Sequence, residues 1–367
     1  MDKTPVIKSA RKTIVDQIKE ESKKPADSCN PKVEFLSTGS TTVNLMLSGK
    51  GKGGGWARQH IGNAVGDGAT AKTLLMLETA AHTLYTIRDQ KSELFPPVKN
   101  VSVVYNNIEG VMDFPIAEMY GEDFINQIEW VQTPTAEAFG KDYLQRVKAL
   151  KKGDFLLYII DSIDALTSEA GAERMAKILS DKKPDGSYGT EKAKFFSSDF
   201  FSHLCGAMEG KDATLLCVSQ IREKIGVTFG EKHYRTGGKA LDFYTHQVVW
   251  LAQIKKLKRT FRSQERVYGV RIKANCKRNK VAKPFRQAEF TVLFDYGIDD
   301  VGSMVDYLYG PEVKKIDWNS TEFKRNEFIE MIESDPANEN KLRELVEQDW
   351  AEIEAAVVPE RKKRWEV

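Results

Sequence analysis

Residues Gly66 to Thr73 read GDGATAKT, a run of small residues closed by a lysine and a threonine. The spacing is that of a phosphate-binding loop, G-x-x-x-x-G-K-[ST], with Ala71 at the second glycine position. An apolar run, Ile61 to Val65, precedes it, and a helix-forming run, Leu74 to Ala81, follows. Strand, loop and helix in that order are what the motif requires. Gly66, Gly68, Ala69 and Ala71, with Asp67 and Thr70 between them, let backbone N–H groups wrap an anion. The helix start adds positive potential. Lys72 is placed to meet β- and γ-phosphates and Thr73 to hold Mg²⁺. The methyl group of Ala71 is tolerable if that residue already has helical backbone angles, but it crowds the loop.

Three further residues stand where strands should end. Asp161 closes the apolar run FLLYIID. An acid at the tip of a buried parallel strand, in a chain with a phosphate loop, suits the metal side of a nucleotide site. The competing reading is a helix N-cap formed by Asp161-Ser162. Glu109 follows the β-branched run Val101 to Tyr105 and could polarise an attacking water. Gln220 follows TLLCVS and could sense a γ-phosphate through its amide without adding charge.

These residues need a layered scaffold to bring them together. Strand-like runs (Val101–Tyr105, Phe155–Asp161, Thr214–Ser219) alternate with helical stretches (Leu74–Arg88, Ala136–Leu150, Lys192–Met208), which predicts a mostly parallel sheet covered on both faces. Val248–Ile254, Val267–Asn275 and Ala288–Phe294 follow with few helical breaks and extend it in antiparallel or mixed fashion. Residues 1–34 are expected to form an N-terminal helix, with Ile7, Ala10, Ile14 and Ile18 on one face, and a linker. Residues 35–310 form the core. Residues 311–367 form a small helical appendage, helical from Thr321, with a basic tail.

At 367 residues, 41% hydrophobic and 29% charged, the chain has ample core for this plan. Its net charge of +2 does not argue for nucleic acid, but the local pattern does. Lys255 to Arg286 holds thirteen Lys/Arg and one acid, Glu265, with Phe261, Tyr268 and Phe285 interleaved. That is either a polyanion surface or the solvated face of an edge hairpin. Ile221 to Gly238, rich in glycine and basic residues, reads as a loop that orders on binding. Four scattered cysteines give neither a disulfide framework nor a zinc site. The five histidines have no metal spacing. Without an apolar leader or membrane span, the expectation is a soluble intracellular protein.

Together these segments resemble the bacterial RecA recombinases and their phage UvsX-like relatives, over roughly Phe35 to Leu308. LSTGSTTVNLMLSG looks like the family's segment before the phosphate loop, and LLYIIDSIDALT like its second strand motif. The most specific matches are SQIREKIGVTFGEKHYRTGGKALDFY and CKRNKVAKPFRQAEF followed by DYGID. The fold implied is a RecA-like P-loop ATPase core. The activity implied is DNA-dependent ATP hydrolysis driving homologous pairing and strand exchange in recombination and repair. ATP and Mg²⁺ would be the cofactors, with Lys72 and Thr73 on phosphate and metal, Asp161 supporting the metal, Glu109 activating water and Asp113 near the adenine. Gln220 would couple the γ-phosphate to a DNA loop in which Arg222, Lys224, Gly226, Lys232, Arg235, Gly237 and Gly238 meet DNA together with Lys194. Arg278 and Lys280 would reach the ATP of the adjacent subunit, and Phe243 would pack into that subunit. Partners implied are single-stranded DNA, homologous duplex, further copies of the chain, a single-strand-binding protein and a mediator, in a bacterial cytoplasm or a phage-infected cell.

The chain departs from the family pattern at Ala71, at Asn107 (an acid is expected two residues before Glu109) and at Ile116 (an aromatic is expected over the adenine). Its basic ending, PERKKRWEV, replaces the acidic tail of many members and predicts less self-inhibition. Two other functions share much of the pattern: a ring-forming hexameric DNA motor or helicase, and a DNA-binding filament protein with an impaired ATPase.

Overall fold

The computed structural model describes residues 33–88, 98–110, 112, 115–180, 200–223, 233–235, 241 and 243–361. The expected N-terminal helix lies outside them, as do Asp113, Lys194, Lys224, Gly226, Lys232, Gly237 and Gly238. Helices and strands alternate as expected. β1 (Phe35–Leu36), α1 (Thr41–Ser48) and β2 (Trp56–Ala57) lead into β3 (Ile61–Gly66), α2 (Lys72–Arg88) and β4 (Asn100–Asn107). Two short helices, α3 (Ile116–Tyr120) and α4 (Glu122–Gln127), precede β5 (Ile128–Val131), α5 (Ala136–Ala149) and β6 (Asp154–Asp161). Then come α6 (Glu169–Leu179), α7 (Phe201–Met208), β7 (Ala213–Glu223) and β8 (His233–Arg235). A long hairpin, β9 (Gln247–Phe261) and β10 (Gln264–Asn279), precedes β11 (Gln287–Leu293), β12 (Gly297–Asp299) and α8 (Asp300–Tyr309).

One sheet carries the molecule, in the order β12-β11-β10-β9-β3-β7-β6-β4-β5. From β5 to β9 every neighbour is parallel, and from β9 to β12 every neighbour is antiparallel. The centre shows why FLLYIID is an unbroken apolar run. Phe155, Leu157 and Ile159 join the core on one face, and Leu156, Tyr158 and Ile160 the core on the other. A strand covered on both sides has no polar face to alternate with. β10 contrasts with it: Val270, Ile272, Ala274 and Cys276 are buried, while Arg271, Lys273 and Asn275 between them are half-exposed.

The C-terminal region differs from the expected all-helical pattern. β13 (Lys315–Trp318) and β14 (Thr321–Lys324) form a hairpin before α9 (Arg325–Glu333) and α10 (Pro336–Ala356). Phe323 is therefore on a strand, and the helix begins after it. Leu342, Val346 and Trp350 of α10 and Phe328 and Ile332 of α9 belong to the same core as Leu36 and Leu75. Arg286 and Lys283 clamp Glu354 of α10, and the Arg286 hydrogen bond is first among the causes that hold the Glu354 carboxyl down to about 2. Among the described residues no helix is long and apolar enough to cross a membrane.

Candidate nucleotide-binding site

Strand register assembles the site. Gly66 at the end of β3 pairs with Gln220 of β7, and Asn107 at the end of β4 pairs with Asp161 of β6. The phosphate-loop motif, Glu109, Asp161 and Gln220 thus sit at one edge of the sheet, at the carboxyl ends of parallel strands, where α/β sheets bind ligands.

Gly66 has no room for a side chain: a Cβ there would stand 2.4 Å from Thr70 Oγ1 and 2.9 Å from the Leu251 carbonyl oxygen. The loop closes on itself. Thr70 Oγ1 donates to the Asp67 carbonyl at 2.8 Å, the Gly68 N–H donates to Asp67 Oδ1 at 2.8 Å, and Lys72 Nζ donates to the Asp67 carbonyl at 2.6 Å. Burial lowers the Lys72 pKa, and the surrounding carboxylates of Asp161, Glu109, Asp67 and Asp164 oppose that shift.

Ala71 corrects an expectation. Its φ is 60° and that of Ala69 is 55°, so neither has right-handed helical geometry, and α2 begins one residue later at Lys72. Left-handed backbone costs a residue with a Cβ about 1–2 kcal/mol. Ala71→Gly is therefore expected to stabilise the fold by about 1 kcal/mol. The check is a later urea midpoint at unchanged m-value; an unchanged or earlier midpoint would count against strain at this residue.

The methyls of Ala69 and Ala71 line a cavity of about 680 Å³ beside the loop, with Leu74, Met119, Val270 and Phe294. Met119 comes from α3, the helix that Ile116 opens. Phe294 and Met119 were not legible as site residues, because nothing local marks them.

Asp161 is buried and accepts two hydroxyls on Oδ2, from Thr73 at 2.6 Å and Tyr105 at 2.8 Å. Burial raises its pKa against the opposing hydrogen bonds from Thr73 and Tyr105. No helix starts at Ser162, where the chain makes turns, so the N-cap alternative is overturned. A threonine hydroxyl beside a buried carboxylate fits a small, hard cation that keeps most of its waters and takes one or two protein oxygens. Thr73 and Asp161 could hold such an ion.

Glu109 is exposed and accepts on Oε1 from Ser162 Oγ at 2.7 Å and from Gln220 Nε2 at 2.8 Å. The Gln220 N–H in turn donates to Asp164 Oδ2 at 2.7 Å. Glu109 and Gln220, read separately from sequence, are in direct contact. Ser162 and Asp164 were missed, although both follow Asp161 closely in the same segment.

The residues expected to meet DNA are described only in part. β7 runs on to Glu223 and pairs with β8, Ile221 opposite Arg235. Arg222 and Arg235 therefore lie on strands, where an irregular loop was expected. The segment after Thr167 opens with α6. Arg278 and Lys280 are not near the phosphate-loop motif of their own chain. Asn279 pairs with Gln247 and Gln247 with Gly62, whereas Gly66 pairs with Leu251. Four residues of strand, about 13 Å, separate the two levels. Lys280 Nζ and Arg278 Nη2 both donate to the Phe243 carbonyl, at 2.8 and 3.4 Å. The Phe243 ring is 65% exposed, with Lys280 Nζ 5.7 Å from its centroid.

The basic run forms the β9–β10 arm. Beyond the core its aromatics carry guanidinium groups: Arg259 lies 4.9 Å from the Tyr268 ring centroid and Arg262 5.2 Å from that of Phe261. His60 and His246, far apart in sequence, meet edge to face at 4.6 Å. Among the described residues no group of three or more His, Cys, Asp or Glu could hold a metal ion.

A glycine-pinned loop at a β3–α2 junction, with an acid and a glutamate on adjacent strand tips, defines a P-loop nucleotide site on a doubly covered α/β sheet. The sequence profile of the RecA N-terminal domain matches residues 6–299. The chain belongs to the RecA recombinase family, whose proteins bind ATP and DNA in recombination and repair. It is 28% identical over 333 residues to Protein RecA of a Prochlorococcus marinus strain, covering 89% of this chain and 79% of that one. Protein RecA of a Synechococcus strain is 28% identical over 333 residues, covering 89% and 78%. Protein RecA of Crocosphaera subtropica is 28% identical over 329 residues, covering 88% and 83%.

Proposed function

We propose that this chain is an ATP-dependent DNA recombinase that assembles head to tail on single-stranded DNA and catalyses homologous pairing and strand exchange. The contact between Glu109 and Gln220 carries the reading. It joins the residue placed to activate water to the strand that leads into the DNA loop. Lys72 and the N–H groups of residues 66–73 bind the phosphates of ATP, and Thr73 and Asp161 hold Mg²⁺. Bound Mg²⁺ supplies charge neutralisation of the phosphates. Glu109, steadied by Ser162, takes a proton from water. Gln220 leaves Glu109 when a γ-phosphate competes for its amide, and that shift is passed along β7 toward Arg222, to Arg235 on the paired strand β8, and to the DNA-contacting residues Lys224, Gly226, Lys232, Gly237 and Gly238.

Arg278 and Lys280, remote from their own phosphate-loop motif, serve the ATP of a neighbour, with Phe243 packing into the same interface. An open head-to-tail contact yields a filament. The β9–β10 arm, the loop and Lys194 contact phosphates, so affinity falls with salt and tolerates sequence. Homology is read by base pairing. The cavity beside Ala71 takes the adenine, with Phe294 and Met119 in place of the aromatic absent at Ile116 and with Asp113 nearby. A single-strand-binding protein and a mediator complete the expected partners, and the bacterial or phage-infected cytoplasm is the expected setting.

Negative-stain images of the protein on single-stranded DNA with a slowly hydrolysed ATP analogue test the assembly. Open helical filaments are expected. Closed rings would favour the hexameric motor instead.

A further inference from the structure

Glu78 lies on α2, five residues past Thr73, and is only 9% exposed. Its Oε1 accepts from the Tyr120 hydroxyl at 3.0 Å and from the Ile298 N–H at 3.1 Å. Tyr120 ends α3 next to Met119, and Ile298 follows Phe294 and Asp295 by a few residues. The cavity beside the phosphate-loop motif thus has its two walls tied through one carboxylate to the helix that starts at Lys72. The carboxylate has little freedom to swing. A Cβ on Gly297 would stand 2.5 Å from Glu78 Oε1, and one on Gly39 would stand 3.0 Å from Glu78 Cβ. Tyr120 is itself braced, its carbonyl accepting from Tyr85 and its ring 4.9 Å from Phe124. Burying a carboxylate here costs stability that an apolar side chain would not. What the carboxylate adds is direction: two donors from distant segments meet at one atom.

We propose that Glu78 is a positioning residue for the nucleobase, fixing the separation of the Met119 and Phe294 walls, a role that rests on the nucleotide-site reading above. Such a residue acts on the base and not on the phosphates, and that difference makes it testable. Calorimetric titration of the full chain with Mg²⁺ and either ATP or inorganic tripolyphosphate separates the two. Glu78→Ala is expected to weaken ATP about tenfold or more and to leave tripolyphosphate within about twofold. Glu78→Gln, which keeps an acceptor oxygen, is expected to restore ATP binding to within about threefold of the original chain. Tyr120→Phe removes one donor only and should weaken ATP selectively by a smaller factor, so it carries the test if Glu78→Ala does not fold.

Equal weakening of both ligands, or no change in either, overturns the proposal. Equal affinity of the unsubstituted chain for ATP and tripolyphosphate overturns it too, while leaving phosphate binding intact. Failure of the unsubstituted chain to bind either ligand would instead remove the nucleotide reading on which the proposal rests.

Discussion

Glu109→Gln is expected to lower the turnover number for ATP about 10²- to 10⁴-fold, the usual contribution of a positioned general base. Binding of ATP and of single-stranded DNA should stay within about threefold, since the amide keeps an acceptor for Ser162 and Gln220. The substitution removes basicity while preserving shape, so the loss falls on the chemical step. Single-turnover hydrolysis beside equilibrium ATP binding measures the split. Turnover within about tenfold of the original would take Glu109 out of the reaction. An equal loss in binding would mean that Glu109 mainly holds the site together through Ser162 and Gln220.

Lys72→Ala should act earlier, on binding. A hydrogen bond to a charged group is worth about 1.5–3 kcal/mol, which is about 10- to 150-fold in ATP affinity, and the loss in turnover should be larger because charge grows on the phosphates in the transition state. The surroundings of Lys72 point the same way. Asp161, Glu109, Asp67 and Asp164 all favour its ammonium form against burial, and without it those acids would face an anionic ligand directly. ATP titration followed by calorimetry, with the unfolding midpoint as a control for folding, checks this. Affinity unchanged by the substitution would place the phosphates elsewhere.

The parts of the site legible in the sequence are those encoded within a few residues of chain. GDGATAKT sits between an apolar run and a helix-forming run, and the apolar run FLLYIID closes on an acid that the end of β6 can bury because the hydroxyls of Thr73 and Tyr105 satisfy it. What stayed hidden depends on strand order. Ser162 reaches Glu109, and Gln220 reaches Glu109, only because β6 lies between β7 and β4. Glu78 meets Ile298 across 220 residues of sequence. The left-handed angles of Ala71 were not legible, because an alanine carries no local mark of positive φ. The β13–β14 hairpin was missed for a different reason. Part of its signal was present: Ile316 and Trp318, both buried, alternate with the exposed Lys315 and Asp317, and Asn319-Ser320 turn the chain with φ of 50° and 65°. Asn-Ser is a weaker two-residue turn than Asn-Gly, and the apolar spacing of Phe323, Phe328 and Ile332 matches a helix as well.

ATP hydrolysis with and without single-stranded DNA, at one fixed salt concentration and beside Lys72→Ala, separates a DNA-dependent ATPase from a filament protein without one. Turnover that rises with DNA and vanishes in the substituted chain is the predicted result. DNA binding with no ATP turnover in the original chain would contradict it, and would make this protein a DNA-binding filament former that has lost its ATPase at Ala71 and Asn107.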